Sequence, residues 1–323
     1  MKHLIAYAFS DLHINLWAKF NQDNRRTSNH FEVLFRLKRL GNKHNVPILF
    51  CGDLFHKPES IDQDLMVLIQ NNFDRIFNQE PCPEFYCISG NHDMKNISEL
   101  ASHNYSWIEA FSRMYPRHLH NMDMKHWMIN NYTFIHCIPY IDHNIGINYT
   151  LANLELKPKF KHILMLHTDY PGAEDTDCRK IDSVENLNIN TLNKFDLVLC
   201  GHIHKPQRLS KKVYMLGAPL QQRRTDRNCK LGYWEIYDDM SMKFVAWEDF
   251  PKFIDVESED EIKDDGNYYT ILPKKASITP VSNNKITKQL SKKTLARKYM
   301  RVKGIKDKRK KNLLVKLLNN SQE

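Results

Sequence analysis

Five short apolar runs in this chain each end on residues that can ligate a metal, and this repeated coincidence restricts the fold more than any other feature. Residues 4–9 lead into Ser10-Asp11-Leu12-His13, and 46–51 into Gly52-Asp53. Residues 85–88 lead into Ser89-Gly90-Asn91-His92-Asp93, 162–166 into His167, and 197–200 into Gly201-His202-Ile203-His204. Runs of this length and composition read as buried strands. A buried strand has its backbone groups already committed, so ligands gather where the chain leaves the sheet. Glycines at 52, 90 and 201 allow sharp turns and close backbone approach there.

The residue types narrow the chemistry. The set holds carboxylates, imidazoles and one amide, with no cysteine, which favours manganese, iron or zinc over a thiolate zinc site. Two ions about 3.5–4 Å apart can clamp the attacking and leaving oxygens of an in-line displacement. A pair of ions needs a shared ligand, and Asp53 is the natural bridge.

Together the five ordered blocks resemble the calcineurin-like metallophosphoesterases. Gly52-Asp53-Leu54-Phe55-His56 and Gly90-Asn91-His92-Asp93 are similar to its DNA-repair branch, the SbcD and meiotic-recombination nucleases, with compact phage-encoded members the nearest in form. Pro139-Tyr140, the stretch Leu216-Gly217-Ala218-Pro219-Leu220 and Gly232-Tyr233-Trp234-Glu235 extend the likeness over roughly residues 1–250. The resemblance implies that Asp11, His13, Asp53 and His204 hold one metal and Asp53, Asn91, His167 and His202 the other. It makes His92 the general acid, Asp93 its orienting or tuning partner, and His56 a contact to the scissile region. Two Mn2+ ions are the implied cofactors, with Mg2+ or another divalent ion as substitutes.

Helical spacing of Phe31, Val33, Leu34, Phe35, Leu37 and Leu40 predicts a helix over 28–43, and Leu65, Leu68, Ile69, Phe73 and Ile76 one over 62–77. Later strands are expected at 133–138, 213–216, 233–236, 243–247 and 268–272. The fold class is α/β (α+β), two packed sheets with helices outside, and the resemblance implies the same four-layer αββα sandwich. Residues 1–250 form the catalytic domain. Residues 251–284 form a linker and reduced capping remnant, of which 255–266, with seven acids, reads as surface linker.

The formal net charge of +9 is local. Residues 285–316 carry fourteen Lys and Arg against Asp307, whereas residues 1–284 hold 33 basic and 36 acidic residues. A domain without positive excess holds DNA weakly, because phosphate neutralisation supplies most non-specific affinity. The tail has apolar stripes at Leu295, Tyr299 and Val302 and at Leu313, Leu314, Leu317 and Leu318, separated by Gly304. A basic helix-loop-helix over 285–323 is expected. Lys308 to Lys311 would oppose the dipole of its second helix, so another task must explain them. Docking of 290–320 onto an SbcC-like coiled-coil ATPase, which the resemblance implies, is preferred over a purely phosphate-binding arm.

Seven cysteines, four of them (Cys51, Cys87, Cys137, Cys200) inside apolar runs, point to reduced, buried thiols. With no apolar stretch of the roughly 18 residues a membrane span needs, the expectation is a cytoplasmic protein, in a host cytoplasm for a phage-encoded chain. DNA and the ATPase are the expected partners, and a homodimer is left open. His103, His118, His120, His126, His136 and His143 read as core or surface histidines, and Trp17 and Phe20 first as packing, second as groove-lining. The reading is a metal-dependent DNA exonuclease and endonuclease. Its rivals are a phosphomonoesterase or protein phosphatase with the same metals, and a non-catalytic scaffold for the ATPase.

Overall fold

The computed structural model describes residues 2–95, 106–141, 144–181 and 187–272. Expectations for the tail from 285, and for His103 and His143, lie outside these residues.

In chain order the first half contains β1 (Leu4–Phe9), α1 (Arg25–His44), β2 (Ile48–Cys51), α2 (Gln63–Phe77), β3 (Phe85–Ile88), α3 (Trp107–Met114) and β4 (Leu119–Asn121). There follow β5 (His126–Asn130), β6 (Thr133–Ile138), α4 (Asn144–Asn153), β7 (Lys161–His167), β8 (Leu197–Gly201), β9 (Gln207–Arg208) and β10 (Val213–Met215). The described chain closes with β11 (Gly232–Tyr237), β12 (Met242–Ala246), β13 (Phe253–Val256) and β14 (Tyr268–Ile271). One mixed sheet has the order β12-β11-β1-β2-β3-β4 and a second β5-β6-β7-β8-β10-β9. Each has three consecutive parallel pairings; in the first sheet they run from β1 to the edge strand β4 with both antiparallel pairs on the other side, and in the second they lie at the centre with one antiparallel pair at each edge.

Strand alternation sorts the side chains into layers. From β1 and β2, Ala6, Ala8, Leu49 and Cys51 face inward and meet Cys137, Ile163, Met165 and Leu199 of the second sheet. The alternate residues Tyr7, Phe9, Ile48 and Phe50 pack outward beneath Phe31, Leu34 and Leu37 of α1 and Ile69 and Phe73 of α2. On the far side Leu164, Leu166, Val198 and Cys200 pack against Ile147 and Leu151 of α4. This is the four-layer αββα arrangement. The small residues Ala6 and Ala8 let the two sheets approach, while the bulky set lies under the helices.

Helix α1 begins three residues before the expected 28, and α2 follows Asp62 directly. The four strand cysteines are buried free thiols. His136 is a core histidine, its Nε2 2.9 Å from His162 Nδ1.

The expectation of a surface linker over 255–266 is corrected at its start. β13 includes Asp255 and Val256 and pairs in parallel with β14. Its Phe253 N–H donates to Gln221 Oε1 at 2.7 Å, and the buried Arg26 guanidinium lies between the rings of Trp17 (4.0 Å to the centroid), Phe253 and Tyr268 (5.3 Å each). Seven acids mask this strand in the sequence, yet two aromatics and a cation hold it down. Met1–Leu272 is one compact unit. Trp17 packs under the Arg26 guanidinium, whereas Phe20 meets Phe253 edge-on and Tyr268 at a tilt and remains 39% exposed. No helix among the described residues is long and apolar enough to cross a membrane.

Candidate metal centre

All five motifs meet at one edge of the sandwich, because β1, β2, β3, β7 and β8 run in parallel within their sheets and deliver their C-terminal ends together. The turns there are tight. A Cβ built on Gly90 would run into the Asp53 carboxylate, and one on Gly52 or Gly201 into the His167 ring. Asp11, His13, Asp53 and His202 all adopt positive φ, between 51° and 101°. Non-glycine residues hold such a conformation only where the surroundings over-determine it.

Two pockets result. Asp11, His13 and His204 offer ligand atoms that all lie within 4.8 Å of one another, as do Asp53, His167 and His202. Asp53 Oδ2 lies between them, 3.5 Å from His13 Nε2 and 3.4 Å from His167 Nε2. Asn91 Oδ1 joins the second pocket, 3.1 Å from His167 Nε2 and 2.9 Å from His202 Nδ1. His13, His56 and His92 form a third set with the same 4.8 Å spread.

Outer contacts decide which ring nitrogen faces inward. His167 Nδ1 donates to the Cys51 carbonyl at 2.7 Å, which directs Nε2 into the site. His202 Nε2 lies 3.4 Å from Asp169, so Nδ1 turns in. His204 Nε2 and His13 Nε2 face each other at 3.2 Å, while neither Nδ1 makes a hydrogen bond among the described residues. Two imidazole nitrogens approach in this way when a proton or cation lies between them. Convergent nitrogens and carboxylates, each ring held by its outer nitrogen where a partner exists, fit a bound pair of divalent ions.

Electrostatics agree. Burial pulls the His167 imidazole down, but the Asp53 carboxylate outweighs it and raises the ring to about 9. Burial alone would raise Asp53; the neighbouring imidazoles His167 and His13 instead hold it well below the carboxylate range. Burial pushes His13 well down. The site therefore keeps an anion at its centre, where a metal would replace the protons of the surrounding rings.

Among the expected catalytic residues, His92 Nδ1 lies 2.7 Å from the His56 carbonyl, and the His56 ring stacks on His92 at 5.5 Å and 11°. The His92 backbone N–H donates to Asp53 Oδ1 at 2.8 Å. Asp93, expected to orient or tune His92, has its carboxylate committed elsewhere. It accepts the backbone N–H groups of Asp53 (2.8 Å), Gly90 (2.9 Å), Leu54 (3.0 Å) and Phe55 (3.1 Å). The His92 ring is held by the His56 carbonyl, while the Asp93 carboxylate fixes the backbone of the two turns. Burial and the Asp53 charge raise the Asp93 carboxyl to about 7.

Three polar residues at this edge escaped the sequence reading: Asp169, two positions after His167, and Gln222 and Asp226, in a turn after β10. Asp169 was detectable as the acid nearest the fourth motif. The other two had no motif to betray them.

The sequence profile of the calcineurin-like phosphoesterases matches residues 6–206, and the chain belongs to that family. It is 26% identical over 207 residues to the SbcD component of the SbcCD nuclease from Staphylococcus saprophyticus, a match that covers 58% of this chain and 53% of that protein. The chain thus spans about half the length of this curated relative. Among solved structures, the protein TT1561 of Thermus thermophilus aligns with 76% of this chain and 99% of its own, at a TM-score of 0.45 and 12% identity. The Pseudomonas putida nuclease MPE aligns with 74% of this chain and 87% of its own, at 0.29 and 13%. Members of the family act on phosphoesters through a divalent metal centre, and the two pockets flanking Asp53 are the candidate for it.

Proposed function

We propose that the chain is a metal-dependent DNA nuclease, hydrolysing phosphodiester bonds as an exonuclease and endonuclease, with Asp11, His13, Asp53 and His204 holding one ion and Asp53, Asn91, His167 and His202 the other. The similarity to the nuclease component of an SbcCD complex supports the substrate class. The observation that carries the chemistry is the His92 ring. Its Nδ1 donates to the His56 carbonyl, so Nε2 is the nitrogen left to carry a proton to a departing sugar oxygen, and giving that proton up returns the ring to its neutral, already anchored tautomer. Asp53 fixes the distance between this acid and the metal pockets by accepting the His92 N–H. We assign His202, whose ring lies 5.7 Å from that of Tyr140, to the second ion and His56 to contact with the scissile region. Bound at the two pockets, divalent ions supply Lewis-acid charge to the phosphate and acidify water; Mn2+ is the proposed metal.

Purified protein is expected to cut single-stranded DNA in Mn2+ far faster than it releases phosphate from a simple phosphomonoester, with EDTA abolishing both. The reverse preference would assign the chain to the phosphatases, and inactivity on both substrates with metal bound would favour a scaffold. The coiled-coil ATPase remains the proposed partner, through residues 290–320. Deletion of 285–323 touches no proposed ligand and should abolish capture by the ATPase while single-strand cleavage persists; normal capture by the truncated chain would remove this partner assignment.

A further inference from the structure

The two metal pockets differ in what stands behind them. Behind the second, the Cys51 carbonyl holds His167, and Asp169 faces His202. Behind the first stands the turn after β10. Gln222, nearly fully buried, donates from Nε2 to the backbone carbonyls of Asp11 at 2.6 Å and Leu12 at 3.1 Å. These carbonyls belong to the strained segment in which Asp11 and His13 have φ of 54° and 51°. Asp226, fully buried, accepts the N–H groups of Gln222 (2.9 Å) and Arg223 (3.1 Å) through Oδ2. The same oxygen lies 3.8 Å from His204 Nδ1, the nitrogen that makes no hydrogen bond among the described residues. The outer face of the turn is secured independently, since Arg26 donates to the Gln222 carbonyl and β13 to Gln221.

We propose that Gln222 and Asp226 are positioning residues for one ion only: they shape the Asp11, His13 and His204 pocket and set its affinity, leaving the Asn91, His167 and His202 pocket unaffected. The inference rests on the two-ion reading of the site. Gln222 pins the left-handed backbone that presents Asp11 and His13. Asp226 gives His204 an anionic partner on Nδ1, which favours the tautomer whose Nε2 lone pair faces inward and makes that nitrogen a better donor. Buried carboxylates behind ligating histidines have this effect generally, and loss of one costs about 10–100-fold in metal affinity.

The test uses the full chain, stripped of metal and titrated with Mn2+ alone, free ion being read by electron paramagnetic resonance. Wild type is expected to bind two ions. Asp226→Asn keeps an oxygen acceptor for the Gln222 and Arg223 N–H groups but removes the charge facing His204. Gln222→Met keeps the side chain's bulk but not its donors. Each variant should weaken one ion by about 10–100-fold and retain the other at its wild-type affinity, with metal-free circular dichroism unchanged. Unaltered binding of both ions in both variants overturns the proposal. So does parallel weakening of both ions accompanied by a lower metal-free melting temperature, the signature of general structural support. Failure of the two-ion reading would appear separately, as fewer than two ions bound to wild type.

Discussion

Asp53→Ala is expected to lose both bound ions and with them nuclease activity. Asp53 Oδ2 is the oxygen common to the two pockets, within 3.5 Å of His13 and 3.4 Å of His167, so in the proposed two-ion site its removal takes a ligand from each ion at once. Metal catalysis contributes several kcal/mol to such displacements, and a fall in cleavage of about 10³-fold or more follows. The fold should survive, since the site lies at the strand ends, outside the three apolar clusters. The variant also leaves the His92 backbone N–H without its acceptor, a loss of about 1–3 kcal/mol in stability. Asp53→Asn separates these effects: it supplies an oxygen for that N–H but lacks the charge, so it should be the more stable variant and equally inactive. Metal analysis after gel filtration decides the matter. Two tightly retained ions in Asp53→Ala would remove the bridging assignment.

His92→Asn should have the opposite profile. The variant removes the imidazole whose Nδ1 is anchored on the His56 carbonyl and takes nothing from either proposed ligand set. Metal content and DNA affinity should stay near wild type while single-turnover cleavage falls by about 10²–10⁴-fold, the usual contribution of an acid–base group. His13, His56 and His92 also converge closely enough to share an ion, so the metal measurement discriminates. Loss of an ion along with activity would make His92 a ligand. Near-normal cleavage would place the proton donor elsewhere.

The layered fold and the five-motif edge were legible because both follow from short-range pattern. Alternation in residues 4–9 and 48–51 sorts side chains between two faces, and every motif directly follows its strand, so a linear reading finds it. Short edge elements such as β4 and β5 were not legible: β4 has only three residues, and in β5 the apolar Trp127, Met128 and Ile129 follow one another without alternation, the first two exposed. β13 was hidden behind the acids that follow it, because its stability comes from Gln221, Arg26 and Trp17, residues remote in sequence. The same reason explains why Asp226 and Gln222 were missed. Each meets residues outside its own turn, Asp226 facing His204 across β9 and β10 and Gln222 reaching Asp11 and Leu12 near the start of the chain, and no local spacing encodes such a contact. Asp93 shows the converse: its place in the fourth residue of Gly90-Asn91-His92-Asp93 was obvious, but its four bonds to backbone N–H groups could be seen only in three dimensions.

The proposed site is a pair of ions sharing Asp53, which would be visible in a crystal of the protein loaded with Mn2+ and measured at the manganese absorption edge. The anomalous map should contain two peaks about 3.5–4 Å apart, the spacing of two-metal sites, both in contact with Asp53, one toward His13 and His204 and the other toward His167 and His202. A single peak, or two peaks of which only one touches Asp53, would rule out a shared bridging carboxylate.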